Sequence, residues 1–129
     1  MKSELERLCE SRGVKASAQY GAVELPEGWN DNPGAHPYKV TLRYKRRTLT
    51  TPFFMGAAHT REPGAADVLY CLCADARSGE MSFEEFCSEF GYDPDSRKHH
   101  ATWKACAKMA PRLRRFLGDD FETFATTEH

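Results

Sequence analysis

Between Tyr38 and Lys45 the apolar residues Tyr38, Val40, Leu42 and Tyr44 alternate with the polar residues Lys39, Thr41, Arg43 and Lys45, whereas beyond Glu62 the apolar period becomes three to four. A period of two belongs to a half-buried strand and a period near 3.6 to a helix face, so no single element can hold both stretches. The chain therefore divides into a helix-and-sheet part, residues 1–60, and a helical part, residues 62–125, within one domain. After a turn, Leu49, Phe53 and Met55 supply the inward face of a partner strand, and Pro52, which donates no hydrogen bond, places that strand at an edge or at a bulge. Val14, Ala16, Ala18 and Tyr20 alternate in the same way with Lys15, Ser17 and Gln19, which predicts a third strand.

Helix signals bracket these strands. Ser3 can cap a helix over Glu4 to Arg12 that turns Leu5, Leu8 and Cys9 inward, with Gly13 as its left-handed stop. Ala65, Val68, Leu69, Leu72 and Ala76 line a second helix ending near Arg77 to Gly79. Ser82 and Glu85 have the spacing of a capping box for a third, whose stripe is Phe83, Phe86, Cys87 and Phe90 before Gly91. Asp95 or Ser96 opens a long helix carrying Trp103, Cys106, Ala110, Leu113 and Leu117 to Gly118, and Pro111 inside it predicts a kink or a break. One more turn around Phe121 and Phe124 can follow. The expected fold class is α+β: an N-terminal helix, a three-stranded antiparallel sheet, then three or four helices on one face of it. Residues 21–37, rich in Gly and Pro, predict a long loop with Trp29 inside, either as a core anchor or as a contact residue.

At 129 residues the chain can bury roughly two thirds of its unfolded surface, which supports a single core. Its longest uncharged stretch, Thr48 to Thr60, contains Pro52 and is too short to span a bilayer. The charged start of the chain lacks the apolar region of a secretory signal, so the expected location is the cytoplasm. The five cysteines Cys9, Cys71, Cys73, Cys87 and Cys106 are an odd set without zinc-ligand spacing, and are expected as reduced, mostly buried thiols.

Catalytic signatures are missing from the letters. Asp93-Pro94-Asp95 resembles the start of a calcium loop, but Lys98 and Lys104 stand where that loop needs its glycine and glutamate. His99 and His100 are adjacent, about 100° apart on a helix, and read as solvent-facing. No phosphate-binding glycine loop is present, and no Cys–His pair is favoured over another. The expectation is a non-enzyme without metal or cofactor.

The layout of charge carries more information. Eighteen basic and 19 acidic residues leave a net charge of −1, yet they are segregated along the chain. Residues 80–95 contain acids and no Lys or Arg, while residues 97–115 contain bases and no acid. Glu84, Glu85, Glu89, Asp93 and Asp95 form a candidate surface for a basic protein partner, with Trp29 or Tyr92 as an aromatic anchor. Arg43, Arg46 and Arg47, with Lys104, Lys108 and Arg112, form the alternative, a phosphate-tracking surface for nucleic acid. The leading helix and three strands are also similar to a double-stranded-RNA-binding domain, although two helices separate the sheet from the Lys104–Lys108 segment.

Three segments, Asp67 to Ala76 (DVLYCLCADA), Ser82 to Lys98 (SFEEFCSEFGYDPDSRK) and Arg115 to Gly118 (RFLG), resemble a family of small, mostly uncharacterised phage and prophage proteins. The resemblance covers about half of the chain, and Pro111 departs from the uninterrupted helix of that pattern. It implies a phage setting. Small phage proteins without catalytic motifs are often counter-defence factors, and anti-CRISPR proteins are similar in size. By that analogy the expected function is inhibition of a bacterial defence complex, a CRISPR surveillance complex above all, by blocking its access to target DNA. The alternative is a nucleic-acid-binding accessory protein.

Overall fold

The computed structural model describes residues 3–20, 36–55 and 64–127. Their order is α1 (Glu4–Arg12), β1 (Lys15–Tyr20), β2 (His36–Tyr44), β3 (Arg47–Met55), α2 (Ala65–Ser78), α3 (Phe83–Phe90), α4 (Arg97–Leu117) and α5 (Asp120–Thr126). This is the α+β arrangement that the change of period predicts. Trp29 and most of the expected loop around it lie outside the described residues.

Local chemistry sets the boundaries of α1. The Ser3 hydroxyl accepts the Glu6 N–H at 3.1 Å and the Glu6 carboxylate accepts the Ser3 N–H at 3.5 Å, which serves two N–H groups the helix cannot. At the other end Gly13, with φ 68, turns the chain so that its own N–H reaches Glu10 and that of Val14 reaches Cys9.

The sheet is antiparallel in the order β1-β2-β3, with β2 in the centre. Tyr38, Val40, Leu42 and Tyr44 face the core and are 0 to 4% exposed, while Lys39 and Arg43 on the other face are open to solvent. Pro52 pairs with Lys39 on β3, an edge strand, and the register passes through it without a bulge. Tyr44 pairs with Arg47, so Lys45 and Arg46 alone make the hairpin turn, with φ of 50 and 64. Such a turn favours Asn-Gly, and each L-residue held there costs about 1 kcal/mol, which the long ladder behind it offsets.

The helices close over the inward face of the sheet. Val68, Leu69, Leu72, Cys73 and Ala76 of α2 are fully buried and share one apolar cluster with Leu5, Val40, Leu42, Leu113, Phe121 and Phe124. Each large side chain sealed there contributes about 1.5–3 kcal/mol. α4 runs through Pro111 without a break. Pro111 is exposed while Met109, Ala110 and Leu113 are buried, so packing of the inner face holds the helix across the missing hydrogen bond. No helix among the described residues is long and apolar enough to cross a membrane.

Two arginines fasten α4 to the sheet edge. Arg47 on β3 donates to the carbonyls of Phe116, at 2.6 Å, and Arg115, and its guanidinium lies 5.1 Å from the Phe116 ring centre. Arg112 on α4 donates in return to the Thr50 carbonyl at 3.4 Å.

Candidate docking surface

Helix α3 has eight residues and presents two unlike faces. Ser82 caps it by accepting the Glu85 N–H at 3.2 Å, and the Glu85 carboxylate takes a bond from the Ser82 hydroxyl. The capping box is thus half formed, because the carboxylate meets the hydroxyl and not the Ser82 backbone N–H. Phe86 and Cys87 point inward, and Glu84, Glu85 and Glu89 stand exposed on the outer side. Phe90 departs from the expected buried stripe: it is 48% exposed. The helix stops at Gly91, so no following turn covers its last aromatic residue.

The turn from α3 to α4 is built from the letters that suggested a calcium loop. Gly91, at φ 69, reverses the chain and lets Tyr92 N–H reach the Cys87 carbonyl at 2.9 Å. The Asp93 carboxylate accepts the Asp95 N–H at 2.9 Å, and Ser96 caps α4 by accepting the His99 N–H at 3.3 Å. His99 is not solvent-facing as expected. Its Nδ1 accepts the Asp93 N–H at 3.0 Å, and its ring stacks on Tyr92 with centres 4.4 Å apart and planes at 22°. His100 packs edge-on against Phe83 at 4.8 Å. The Trp103 indole donates to the Met81 carbonyl at 3.0 Å and pins the start of α3 to α4. Together these contacts fix the positions of Asp93, Asp95 and Tyr92, and Tyr92 is 36% exposed.

The five carboxylates of Glu84, Glu85, Glu89, Asp93 and Asp95 are all exposed, and none pairs with Lys or Arg among the described residues. The acidic and basic runs do meet at one place. Arg114 holds Glu80, at 2.7 Å through Nη2, and Glu122 at 3.1 Å, while Arg77 holds Glu122 at 2.6 Å. Arg114 therefore keeps the Glu80 carboxyl below the usual carboxylate range. The partners come from the α2–α3 turn and from α5, separations across which spacing along the sequence gives no signal.

The alternative basic residues do not form one patch of free cations. Arg47 and Arg112 are brought together, but both donate to backbone carbonyls as described. Lys104 lies two helical turns away, about 12 Å along α4 from Arg112. It borders a groove of about 420 Å³ beside Asp95, Arg97 and His100. Arg43, Arg46, Lys104 and Lys108 remain exposed.

A further feature, Asp75, has almost no signature in the sequence: it is one of two acids, with Asp67, in a largely apolar helix. It opens into a cleft of about 90 Å³ made by Ser78 of α2, Phe86 and Phe90 of α3, Tyr92 of the turn, and Thr102 and Cys106 of α4. Gly79 makes this crossing close: a Cβ there would collide with the backbone of Cys106 and Ala107. Asp75 is exposed through the open mouth, and the protein packed around its carboxyl pushes its pKa up to about 7 by partial desolvation. Burial also raises the thiols, Cys71 to about 11 and Cys106 to about 12, with Cys9, Cys73 and Cys87 moved in the same direction. None is activated as a nucleophile at neutral pH.

Comparison with protein-family models, curated proteins and solved structures returns no match.

Proposed function

We propose that the chain is a binding protein that docks through the face formed by α3 and the α3–α4 turn onto a basic, nucleic-acid-reading surface of a protein partner. The observation that supports this most is the company those acids keep: five exposed carboxylates that form no ion pair among the described residues, beside two exposed aromatic side chains, Phe90 and Tyr92. Carboxylates at that density repel one another, and a basic partner relieves the repulsion while steering the encounter. The aromatic pair supplies the apolar contact that charge alone lacks. The resemblance to phage proteins suggests the partner class: a bacterial defence complex of the CRISPR surveillance type, with this chain occupying the surface that target DNA would use. The chemistry is binding without turnover.

Displacement tests the reading. Purified surveillance complexes of several CRISPR types are incubated with fluorescent target DNA, and this protein is titrated in while anisotropy is followed. Release of DNA at stoichiometric protein is the expected result, and undiminished DNA binding by every complex opposes the assignment.

The bare sheet face favours a second reading. Lys15, Lys39 and Arg43 stand exposed there among Ser17, Thr41 and Thr50, with no carboxylate among the described residues of that face. A phosphate backbone could lie across it, with Arg46 at the adjoining hairpin turn. A gel shift with DNA and RNA at two salt concentrations decides: six phosphate contacts give a log–log salt slope of about −5 for a duplex. No shift at tens of micromolar removes this reading.

A further inference from the structure

We propose that the cleft between α2, α3 and α4 is a receptor for one arginine side chain projected by the protein partner. For its biological occupant the inference rests on the docking function proposed above. Three observations lead to it. First, no hydrogen bond or ion pair engages the Asp75 carboxylate among the described residues, and it opens into a cleft of about 90 Å³. That volume suits the head of a side chain and falls far below the 300 Å³ or more typical of sites for nucleotides and other small molecules. Second, the remaining walls are aromatic and hydroxylic with one thiol: Phe86, Phe90 and Tyr92, with Ser78, Thr102 and Cys106. A planar guanidinium stacks on ring faces and offers a carboxylate two parallel N–H donors, which an ammonium cannot do. Third, the mouth of the cleft belongs to the acidic face, since Phe90 and Tyr92 are at once its rim and the exposed aromatic residues next to Glu89 and Asp93. An arginine seated there lies beside the exposed aromatic pair of the docking surface, the kind of residue that dominates affinity.

Protonation enters the recognition. The titratable walls beside Asp75 are Tyr92 of the turn and Cys106 of α4, and Cys71 of α2 lies within electrostatic reach outside the lining; burial raises all three, so they stay neutral between pH 5 and 8. His99, stacked on Tyr92, brings an imidazole next to that wall. Asp75, with its pKa raised toward neutrality, carries its charge at the upper end of that range and loses it at the lower. Guanidinium binding therefore strengthens as pH rises.

The test uses the full-length protein, labelled with ¹⁵N, and the peptide acetyl-Gly-Gly-Arg-Gly-Gly-amide, with a twin in which citrulline replaces arginine. Amide spectra are followed during titration at pH 5.5 and pH 8 for the wild type, Asp75→Asn and the pair Glu85→Lys/Glu89→Lys. Asparagine keeps the shape of the side chain and the neutral state that the cleft favours, so the fold persists, and the unliganded spectrum checks this. The expected result is saturable shifts centred on Asp75, Phe90, Tyr92 and Thr102 with the arginine peptide and not with the citrulline twin. Asp75→Asn should weaken binding about five- to tenfold at pH 8, the worth of one partly desolvated ion pair, and remove most of its dependence on pH. Equal affinity for Asp75→Asn, equal binding of citrulline, or no shifts near the cleft would each overturn the inference. If Asp75→Asn changes nothing while the double charge reversal weakens binding, the acidic-face reading survives and the arginine receptor does not. If only Asp75→Asn acts, the receptor stands and the wider patch falls.

Discussion

Gly79→Ala sets two physical effects of opposite sign against each other. Gly79 has φ −73 and ψ −7, ordinary helical values, so on conformational grounds alanine should stabilise the chain by about 0.5–1 kcal/mol through a less mobile unfolded state. The added methyl, however, would overlap the backbone of Cys106 and Ala107 and lie 2.7 Å from the Cys106 Cβ. Those atoms belong to the middle of α4 and cannot swing aside like the end of a side chain, so α2 and α4 must separate. Overpacking of a tight site costs about 1–3 kcal/mol, and a backbone obstacle lies at or above the top of that range. The net expectation is a loss of about 2–3 kcal/mol, or a melting temperature lower by roughly 10 °C for a domain of this size. Urea denaturation followed by circular dichroism measures it. Gly64→Ala is the control, since the nearest atom to its Cβ is Asp67 Oδ2 at 3.8 Å, and it should change stability by less than about 1 kcal/mol. A Gly79→Ala protein as stable as the wild type would refute the close crossing, and with it the walls of the Asp75 cleft.

Further expectations concern charge. Asp75 has a folded pKa raised above its ordinary 3.8, so its ionisation opposes folding, and the wild type loses stability from this residue as pH climbs from about 4 through 7. Asp75→Asn should match the wild type near pH 4 and exceed it by about 1–2 kcal/mol at pH 8, less than an enclosed carboxyl would give because the cleft is open to water; parallel stability curves across that window would argue against the shift. Arg47→Ala removes two bonds to α4 carbonyls and the contact with the Phe116 ring, and should cost about 1–2 kcal/mol in urea denaturation, whereas Arg43→Ala on the bare sheet face should cost under about 0.5. The reverse order would mean that Arg47 does not fasten the sheet edge.

Much of the fold is legible in the sequence because its determinants are local. The alternation through Tyr38–Tyr44, the caps Ser3, Ser82 and Ser96, and the stops Gly13, Gly91 and Gly118 each act within one turn or one strand, and the observed boundaries follow them. Pro111 shows where a local rule yields: its effect on the helix is local, but the buried side chains that oppose it come from packing. The acidic face is also legible, since its residues fall within one short segment, 84–95, and the short helix and the turn after it leave them outside. Its counterpart is only partly so. Runs of like charge do not reveal that Arg114 serves Glu80 and Glu122, or that Arg47 and Arg112 spend their donors on carbonyls, because those partners lie 34 or more residues away or on another element. The Asp75 cleft is the clearest case, for its walls come from three helices and a turn that only the tertiary fold brings together.

Plaque formation under CRISPR immunity bears most directly on the central claim. A targeted phage is plated on cells expressing the wild-type protein, the Glu85→Lys/Glu89→Lys variant, or an Arg43→Glu/Arg46→Glu variant, each first shown to be folded and equally abundant. Docking through the acidic face predicts that the wild type and the basic-residue variant restore plaques and the acidic-residue variant does not. Restoration by the acidic-residue variant, or failure of the wild type against every CRISPR type tried, would contradict it.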